Sequence, residues 1–261
     1  MSELNSSESN LILVAGATGG VGQLVVTKLL AQNYSVRVLT RDSDKASRMF
    51  GDRVEIKVGN ILEPETFNEP ESLGLAMKGV NQVICCTGTT AFPSLRWDFT
   101  NLWQPMNTPQ AVDGDGIQNL VKAAHQNLKR FVFISSCGVL RKDKFPFKLL
   151  NAFGVLDAKL QGEQAIKNSG IPYTIIRPGR LIDGPFTSYD LNTLFQAKTD
   201  GKKAVVIGTG DTLNGETSRI DVANACVECL KYETTINKTF ELVNTGKKST
   251  ETNWNQLFAN L

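Results

Sequence analysis

A glycine-rich turn between an apolar strand and an amphipathic helix limits the folds that this chain can adopt. Residues 11–15 form a continuous apolar run that predicts a buried strand, and residues 21–32 carry apolar side chains at helical spacing. The turn between them has the spacing GxxGxxG, with its glycines at Gly16, Gly19 and Gly22. Strand, turn and helix in this order predict the start of a βαβ unit with a phosphate site at the helix N-terminus.

Each of these glycines has a physical reason for its position. Gly16 permits the tight turn out of the strand, Gly19 lets the backbone approach a pyrophosphate, and Gly22 lets the helix pack closely on the sheet. The alternative interpretation is a glycine-rich turn that binds nothing. The predicted dinucleotide-binding turn comprises Gly16, Thr18, Gly19, Gly20, Val21 and Gly22.

The rest of the chain alternates short apolar runs with amphipathic stretches. This alternation predicts βαβ units, and therefore an α/β fold with a doubly wound parallel sheet. The further predicted strands are residues 35–40, 54–58, 82–86, 130–135, 173–177 and 239–243. The further predicted helices are residues 43–50, 63–78, 117–124, 152–167, 221–232 and 254–261.

The sequence predicts one domain with a short extension. Residues 1–10 are polar and predict a flexible N-terminal leader, and residues 11–261 form the single predicted domain. Residues 182–218 are loop-rich and predict a small C-terminal cap over the sheet, on the substrate side. Residues 88–111 predict a loop that is long for a compact domain, and such loops are usually functional or disordered. Trp97, Phe99 and Trp103 in this loop either stack on a planar substrate or pack beneath the loop.

Charge and cysteine content exclude several classes of protein. The chain has 28 Lys+Arg and 26 Asp+Glu, a net charge of +2, so we expect no nucleic-acid partner. No apolar run approaches the roughly 18 residues of a transmembrane helix, and the N-terminus does not resemble a secretory signal. Five cysteines, two of them adjacent, favour a reducing compartment, the cytoplasm or the equivalent plastid stroma, over secretion. With one His and no Cys/His cluster, we expect no metal site.

The residues after the second strand favour NADP(H) over NAD(H). An NAD(H) site places an acid there, to accept a hydrogen bond from the ribose 2′-hydroxyl. Here Thr40 is followed by Arg41, whose guanidinium can bind a 2′-phosphate. Asp42 comes next, one residue after the position that the acid takes in an NAD(H) site. We expect Asp42 to face solvent or to cap the next helix. The alternative is that Arg41 is an ordinary solvated surface residue.

Motifs at the ends of the later strands complete a pattern. The third, fourth, fifth and sixth strands are followed or ended by GNI (59–61), CTG (86–88), FISS (133–136) and RPG (177–179), and residues 218–223 read SRIDVA. Together with GATGGVG and LTRD, these motifs resemble the atypical short-chain dehydrogenase/reductase superfamily, and within it the NmrA-like, cyanobacterial and plastid branch. The resemblance covers nearly the whole chain and implies a Rossmann fold that binds NADP(H).

The resemblance also implies which residues hold the cofactor. Thr40 and Arg41 would lie at the adenosine ribose, and Asn60 and Ile61 at the adenine, where an amide replaces the usual Asp of the family. Cys86, Thr87 and Gly88 would form a small turn lining the cofactor, and Lys159 would bind ribose hydroxyls. Pro178 and Gly179 would lie beside the nicotinamide.

The catalytic motif of this superfamily is incomplete here. The superfamily carries Tyr-x-x-x-Lys on the helix after the fifth strand, whereas this chain has Lys159 with Val155 at the tyrosine position. The resemblance assigns the catalytic site to Ser135 and Lys159, with Lys159 also binding the ribose. Because the usual acid is missing, hydride transfer would suit an acceptor that needs no proton from the protein, or one protonated by water.

Other residues have two interpretations each. Ser135 and Ser136 contact the substrate or nicotinamide, or cap the end of the strand. Cys137 is a reactive thiol or, more commonly, a buried inert one. We expect Cys226 and Cys229 to pack in a helix and His125 to lie on the surface. Residues 141–148 mix basic and aromatic side chains, and form either a solvated rim or a contact for an acidic partner or substrate.

Two classes of function follow from these residues. The first is an NADPH-dependent oxidoreductase acting on a planar or carbonyl substrate. The second is a non-catalytic NADP(H)-sensing regulator, scaffold or assembly factor. The partner of this protein is accordingly a small molecule or another protein. The oligomeric state is open, and a monomer is compatible with the sequence. Fold alone does not assign function.

Overall fold

The computed structural model describes residues 10–63, 72–92, 107–124, 127–184, 201–248 and 251–261. In these residues the strands form one mostly parallel sheet. The strands are β1 (Leu11–Ala15), β2 (Ser35–Thr40), β3 (Glu55–Val58), β4 (Gln82–Cys85), β5 (Arg130–Ile134), β6 (Tyr173–Pro178), β7 (Arg180–Ile182), β8 (Ala204–Gly208), β9 (Glu216–Ser218) and β10 (Lys238–Thr245).

Helices cover both faces of the sheet. They are α1 (Gly20–Ala31), α2 (Ser43–Phe50), α3 (Leu73–Met77), α4 (Gly116–Ala123), α5 (Phe147–Leu150), α6 (Val155–Asn168), α7 (Arg219–Glu228) and α8 (Trp254–Phe258). A π-helical turn, Gln110–Asp115, leads directly into α4, and short 3₁₀ turns occupy Gly51–Arg53, Cys229–Lys231 and Glu233–Thr235.

The strand order places a ligand crevice at the centre of the sheet. The strands lie in the order β3-β2-β1-β4-β5-β6-β10, all in parallel pairs. The winding reverses between β1 and β4, and ligands bind outside the carboxyl ends of the strands at such a point. At the far edge β8 runs antiparallel to β10, and β9 pairs with β10 and with β7.

The alternation of side chains along β1 explains why this strand is apolar throughout. Ile12 and Val14 pack into a core shared with α1 and α7, whereas Leu13 and Ala15 pack into a second core shared with α3, α4 and α6. All four side chains are at most 1% exposed. A strand covered on both faces has no solvent side, so it reads as a continuous apolar run.

The predicted doubly wound α/β fold is confirmed, and the bounds of the predicted strands agree with the structure to within two residues. Strands β7, β8 and β9 and helix α5 were not predicted, because they are only three to five residues long and show no clear periodicity. The C-terminal part of the predicted cap contains β8 and β9, which extend the sheet, and residues 185–200 of the cap lie outside the described residues. Also outside them lie residues 1–9 of the predicted leader, His125, Trp97, Phe99 and Trp103, and residues 64–71 of the helix predicted at 63–78.

Among the described residues, no helix combines the length and apolar character needed to span a bilayer.

Candidate functional site

The predicted site residues meet at the carboxyl edge of the sheet. Gly16 follows β1, Cys86 follows β4 and Ser135 follows β5. The parallel pairing continues into these residues, because the amide of Cys86 donates to the carbonyl of Ala15 at 2.8 Å and that of Ser135 to the carbonyl of Ile176 at 2.8 Å. The motifs that were separate in the sequence therefore line one edge.

The glycine turn is packed so closely that side chains are excluded. Gly16 has φ +74°, and a Cβ there would lie 2.8 Å from the backbone of Cys86 and Thr87. A Cβ on Gly22 would lie 2.1 Å from the carbonyl oxygen of Gly16. The amide of Gly19 donates to the same carbonyl at 3.1 Å, which closes the turn. Both end glycines are thus required by contact with backbone atoms that cannot move aside.

The start of α1 suits an anionic group. Gly19 is the N-cap and offers no side chain to the first-turn N–H groups, and the first turn carries no acid. These N–H groups and the helix dipole favour a phosphate. Thr18 and Gly20 are half-buried beside this turn, whereas Val21 is buried and packs into the core. The residues present therefore fit the pyrophosphate of a dinucleotide.

Of the residues at the end of β2, Thr40 and Asp42 stabilise the backbone, whereas the side chain of Arg41 is exposed. Arg41 is exposed, and its guanidinium donates to the Asn107 side chain at 2.7 Å. Asp42 caps α2, since its carboxylate accepts from the amide of Lys45 at 2.8 Å, as expected from the sequence. The hydroxyl of Thr40 accepts from the amide of Asp42 at 3.1 Å and so fixes the turn. The Arg41 guanidinium is therefore an exposed cation directly after β2.

The turn after β3 is held by its own side chains. The side-chain oxygen of Asn60 accepts from the backbone amide of Leu62 at 3.1 Å, and its side-chain nitrogen donates to the Glu63 carboxylate at 2.8 Å. Ile61 is buried, and a Cβ on Gly116 would lie 2.8 Å from its side chain. These contacts fix the position of the turn beside the start of α4.

Lys159 is held at the carboxyl edge by a buried acid. Its ammonium lies 2.8 Å from Asp113 Oδ1 and 3.4 Å from the carbonyl of Ile134, the last residue of β5. Asp113 is fully buried, and its other oxygen accepts from the amide of Thr89 at 3.0 Å and the hydroxyl of Thr89 at 2.5 Å. A Cβ on Gly88 would lie 3.3 Å from the ammonium nitrogen. An ammonium has three donors, so these contacts leave one for a ligand beside Gly88.

Sequence reasoning missed Asp113, although a signal was present. Asp113 precedes Ile117 and Leu120 by four and seven residues, which is the spacing of the apolar face of α4. An ionisable residue on an apolar face must be paired, because burying an isolated charge is costly. The pattern therefore indicated a partner, without identifying Lys159.

Val155 occupies an apolar environment one helical turn before Lys159. It is 5% exposed and clusters with Val139 and Leu156, with Ala91 and Phe147 packed against them. Only hydrocarbon from the described residues surrounds Val155 in this cluster.

The hydroxyl of Ser135 points into a buried ionic cluster. It donates to Glu163 Oε1 at 2.6 Å, and Arg177 donates to both oxygens of Glu163, at 2.8 and 2.6 Å. All three residues are at most 3% exposed. Ser135 is therefore near Lys159 along the edge but its hydroxyl is not directed to the same point. The Ser136 hydroxyl donates to the carbonyl of Cys137 at 3.0 Å.

The turn after β6 is fixed by the neighbouring strands. The amide of Gly179 donates to Leu242 O at 3.1 Å and to the Thr217 hydroxyl at 2.8 Å. A Cβ on Gly179 would lie 2.3 Å from the carbonyl of Gly215. Pro178 ends β6 and is buried, so the chain enters this turn from a rigid strand.

The cysteines are free thiols with weak acidity. Burial raises the pKa of Cys85 to about 11 and that of Cys137 to about 12. Cys226 and Cys229 are fully buried, and burial raises both pKa values. These environments favour packing over thiolate chemistry. Within the described residues, no group of His, Cys, Asp and Glu could hold a metal ion.

Comparison with known proteins shows the family to which the chain belongs. The model of a family described as NAD(P)H-binding matches residues 16–233. An uncharacterized chloroplastic protein of Arabidopsis thaliana is 34% identical, over 92% of this chain and 78% of its own length. Sanguinarine reductase of Eschscholzia californica is 30% identical, over 91% of this chain and 90% of its own. Photosystem II assembly factor Ycf39 of Trieres chinensis is 28% identical, over 88% of this chain and 63% of its own.

A solved structure supports the fold. The structure of a short-chain dehydrogenase/reductase from Veillonella parvula in complex with NADP has a TM-score of 0.65 and 18% identity, covering 92% of this chain and 99% of that one. The family match extends over most of the chain, from the glycine turn through α7. The chain belongs to the NAD(P)H-binding family, in the NmrA-like, plastid-type branch of the atypical short-chain dehydrogenase/reductases.

Proposed function

We propose that this protein is an NADPH-dependent oxidoreductase that reduces a planar or carbonyl substrate without a tyrosine acid. The observation that carries the proposal is the position of Lys159, fixed by Asp113 and Ile134 at the carboxyl edge beside Gly88. Its remaining donor suits the ribose hydroxyls of the nicotinamide half. The bound cofactor would supply a hydride.

The other residues of the site supply binding and orientation. The α1 N-terminus holds the pyrophosphate, and Arg41 binds the 2′-phosphate, with Asn107 orienting its guanidinium. The relative from Veillonella parvula binds NADP, which supports this preference. In the proposal the adenine contacts are Asn60 and Ile61, and the residues around the nicotinamide half are Cys86, Thr87, Gly88, Pro178 and Gly179.

The source of the proton that the reduced product requires is the unusual feature of this site. Val155 offers no hydroxyl, and Ser135 is held by Glu163, so the proposal gives the catalytic contact to Lys159 and keeps Ser135 at the end of β5. Acceptors of the flavin or tetrapyrrole type suit such a site, because water can protonate them after hydride transfer. The name of sanguinarine reductase supports a reductase function.

A second candidate is an NADP(H)-sensing regulator or assembly factor. The burial of Val155 in an apolar cluster favours it, because that cluster fills the place of the missing acid. The assembly-factor name of Ycf39 also supports it. Both candidates fit a reducing compartment, and chloroplastic relatives support the plastid stroma or its cytoplasmic equivalent.

Turnover separates the two candidates. Purified protein is mixed with NADPH and with a flavin, a quinone or biliverdin, and loss of NADPH absorbance is followed. The oxidoreductase proposal expects acceptor-dependent oxidation. Tight NADPH binding without turnover on any acceptor would contradict it and favour the regulator.

A substitution tests the missing acid. Val155→Tyr adds a ring and a hydroxyl, and Val155→Phe adds the ring alone, which makes it the matched control. We expect Val155→Tyr to raise carbonyl reduction above Val155→Phe. Equal rates for the two variants would show that the site does not lack an acid.

A further inference from the structure

The segment between β5 and α6 exposes an unusual amount of apolar surface. In the described part of the chain, only Leu75 and Ile220 are well-exposed large apolar residues outside it. Phe145 is 84% exposed and Leu149 is 60% exposed. We call residues 140–153 the basic apolar surface; its exposed apolar side chains are Leu140, Phe145, Leu149, Leu150 and Phe153.

The start of this segment is anchored to the protein. The amides of Gly138 and Leu140 both donate to the carboxylate of Asp211, each at 2.7 Å, and Asp211 is 1% exposed. The ring of Phe147 lies on Gly138, where a Cβ would come within 2.0 Å of it. Arg141 covers the same ring at 4.5 Å. Phe147 is therefore the inward anchor of the segment.

The end of the segment is anchored as well. The side chain of Asn151 accepts from the amides of Leu156 and Asp157, at 2.9 and 3.2 Å, in the first turn of α6. With both ends fixed, the outward apolar side chains are held in place by the backbone. The exposure of these side chains therefore follows from the anchored backbone of the segment.

The same surface is positively charged. Residues 140–153 contain four basic residues and one acid, Asp143. Arg141 pairs with Asp211 and Lys142 with Asp157. Lys144 and Lys148 are exposed and make no ion pair with the described residues. Two cations that have no ion-pair partner among the described residues thus precede Phe145 and Leu149 directly in the sequence.

We propose that the basic apolar surface docks this protein reversibly on an anionic membrane surface. Phe145 and Leu149 would enter the boundary between headgroups and acyl chains, and Lys144 and Lys148 would contact lipid phosphates. Phe145, at 84% exposure, projects from the surface of the protein, as a side chain that inserts into a lipid boundary must. Binding of an acidic protein to the same residues is the alternative outcome that the experiment below distinguishes.

Co-sedimentation with vesicles tests this inference and needs no cofactor. The full chain is mixed with vesicles of pure phosphatidylcholine, or of phosphatidylcholine with about one-third phosphatidylglycerol, at low and high salt. We expect binding to the anionic vesicles that weakens with salt. Phe145→Ser with Leu149→Ser should reduce the partition coefficient about tenfold or more, since apolar burial drives insertion. Lys144→Glu and Lys148→Glu should each reduce it about fivefold or more.

Matched controls lie elsewhere on the surface. Leu75→Ser and Ile220→Ser remove exposed apolar side chains, and Lys122→Glu and Lys247→Glu reverse exposed charges, so all four should bind as the wild type does. Unchanged circular dichroism shows that each variant is folded. The inference is wrong if the wild type ignores anionic vesicles, if it binds neutral vesicles equally, or if the controls lose as much binding as the test variants. Failure to bind vesicles together with a complex formed through these residues with an acidic protein would also overturn it.

Discussion

The ammonium of Lys159 lies 2.8 Å from the carboxylate of Asp113, which is fully buried. The two residues are 46 positions apart in the sequence and come from α6 and from the π-helical turn before α4. Because Thr89 donates to the other oxygen of Asp113, the carboxylate cannot turn away. The pair fixes a cation at the edge where the dinucleotide family binds its cofactor.

Replacing the ammonium of Lys159 by an uncharged group should lower the stability of the fold. Lys159→Met leaves Asp113 buried without its ionic partner, and we expect the free energy of unfolding to fall by about 3 kcal/mol. Lys167→Met is the control, because Lys167 is more exposed and its pair with Glu163 is longer, at 3.4 Å. Urea unfolding of both variants checks this. An equal loss for the two would mean that the Lys159–Asp113 pair has no special role.

Ser135 should matter more for stability than for turnover. Ser135→Ala removes a buried hydrogen bond to Glu163, and we expect a loss of about 1 kcal/mol in the free energy of unfolding. NADPH affinity and kcat should stay near wild type. A large fall in kcat with unchanged stability would instead support a catalytic Ser135.

The glycine turn should not tolerate a methyl group. In Gly22→Ala the new Cβ would lie 2.1 Å from the Gly16 carbonyl, so α1 must shift and NADPH binding should weaken by about tenfold or more. Gly79→Ala is the control, since its Cβ meets open space and only the positive φ of +74° opposes it. That variant should lose about 1 kcal/mol of stability and bind NADPH normally. Fluorescence titration measures both affinities.

Arg41 should set the preference for the 2′-phosphate. Arg41→Ala is expected to lower NADPH affinity by about tenfold and to leave NADH affinity unchanged, because only NADPH carries the phosphate. Lys45→Ala, at an exposed cation nearby, is the comparison. Equal losses for NADPH and NADH would remove Arg41 from cofactor selection.

Cys137 should make stability fall at alkaline pH. Burial raises its pKa from 9.0 to about 12, so the unfolded chain releases the thiol proton at a lower pH than the folded chain does. The contribution is fully present below about pH 9 and is lost as pH rises toward about 12. The free energy of unfolding, measured with urea at about pH 8 and pH 10, should fall less between these pH values for Cys137→Ala than for the wild type. Rapid labelling of the folded thiol at neutral pH would contradict this.

The sequence predicted those elements that depend on residues close together in the chain. Strand β1, the glycine turn and α1 follow from apolar periodicity and glycine spacing within about twenty residues. The cap formed by Asp42 is equally local, because it spans three residues. These features depend on neighbours in the chain, so a single sequence carries them.

Contacts between distant segments were not predictable in this way. The Asp113–Lys159 pair forms only when the π-helical turn before α4 meets α6. The cluster of Ser135, Glu163 and Arg177 forms only when α6 packs against β5 and β6. The sequence left residues 141–148 as either a solvated rim or a partner contact, and did not show which of their large apolar side chains are exposed. Their exposure depends on how Asp211 anchors the segment, and Asp211 is about seventy residues further along the chain.

The central claim is that NADP(H) binds at the glycine turn, and a fluorescence titration of the purified protein with NADPH, paired with one using NADH, tests it most directly. The account predicts saturable binding of NADPH, weaker binding of NADH, and a further weakening of both in Gly22→Ala. Absence of NADPH binding by the folded wild-type protein, or binding that Gly22→Ala leaves unchanged, would contradict the assignment of this site.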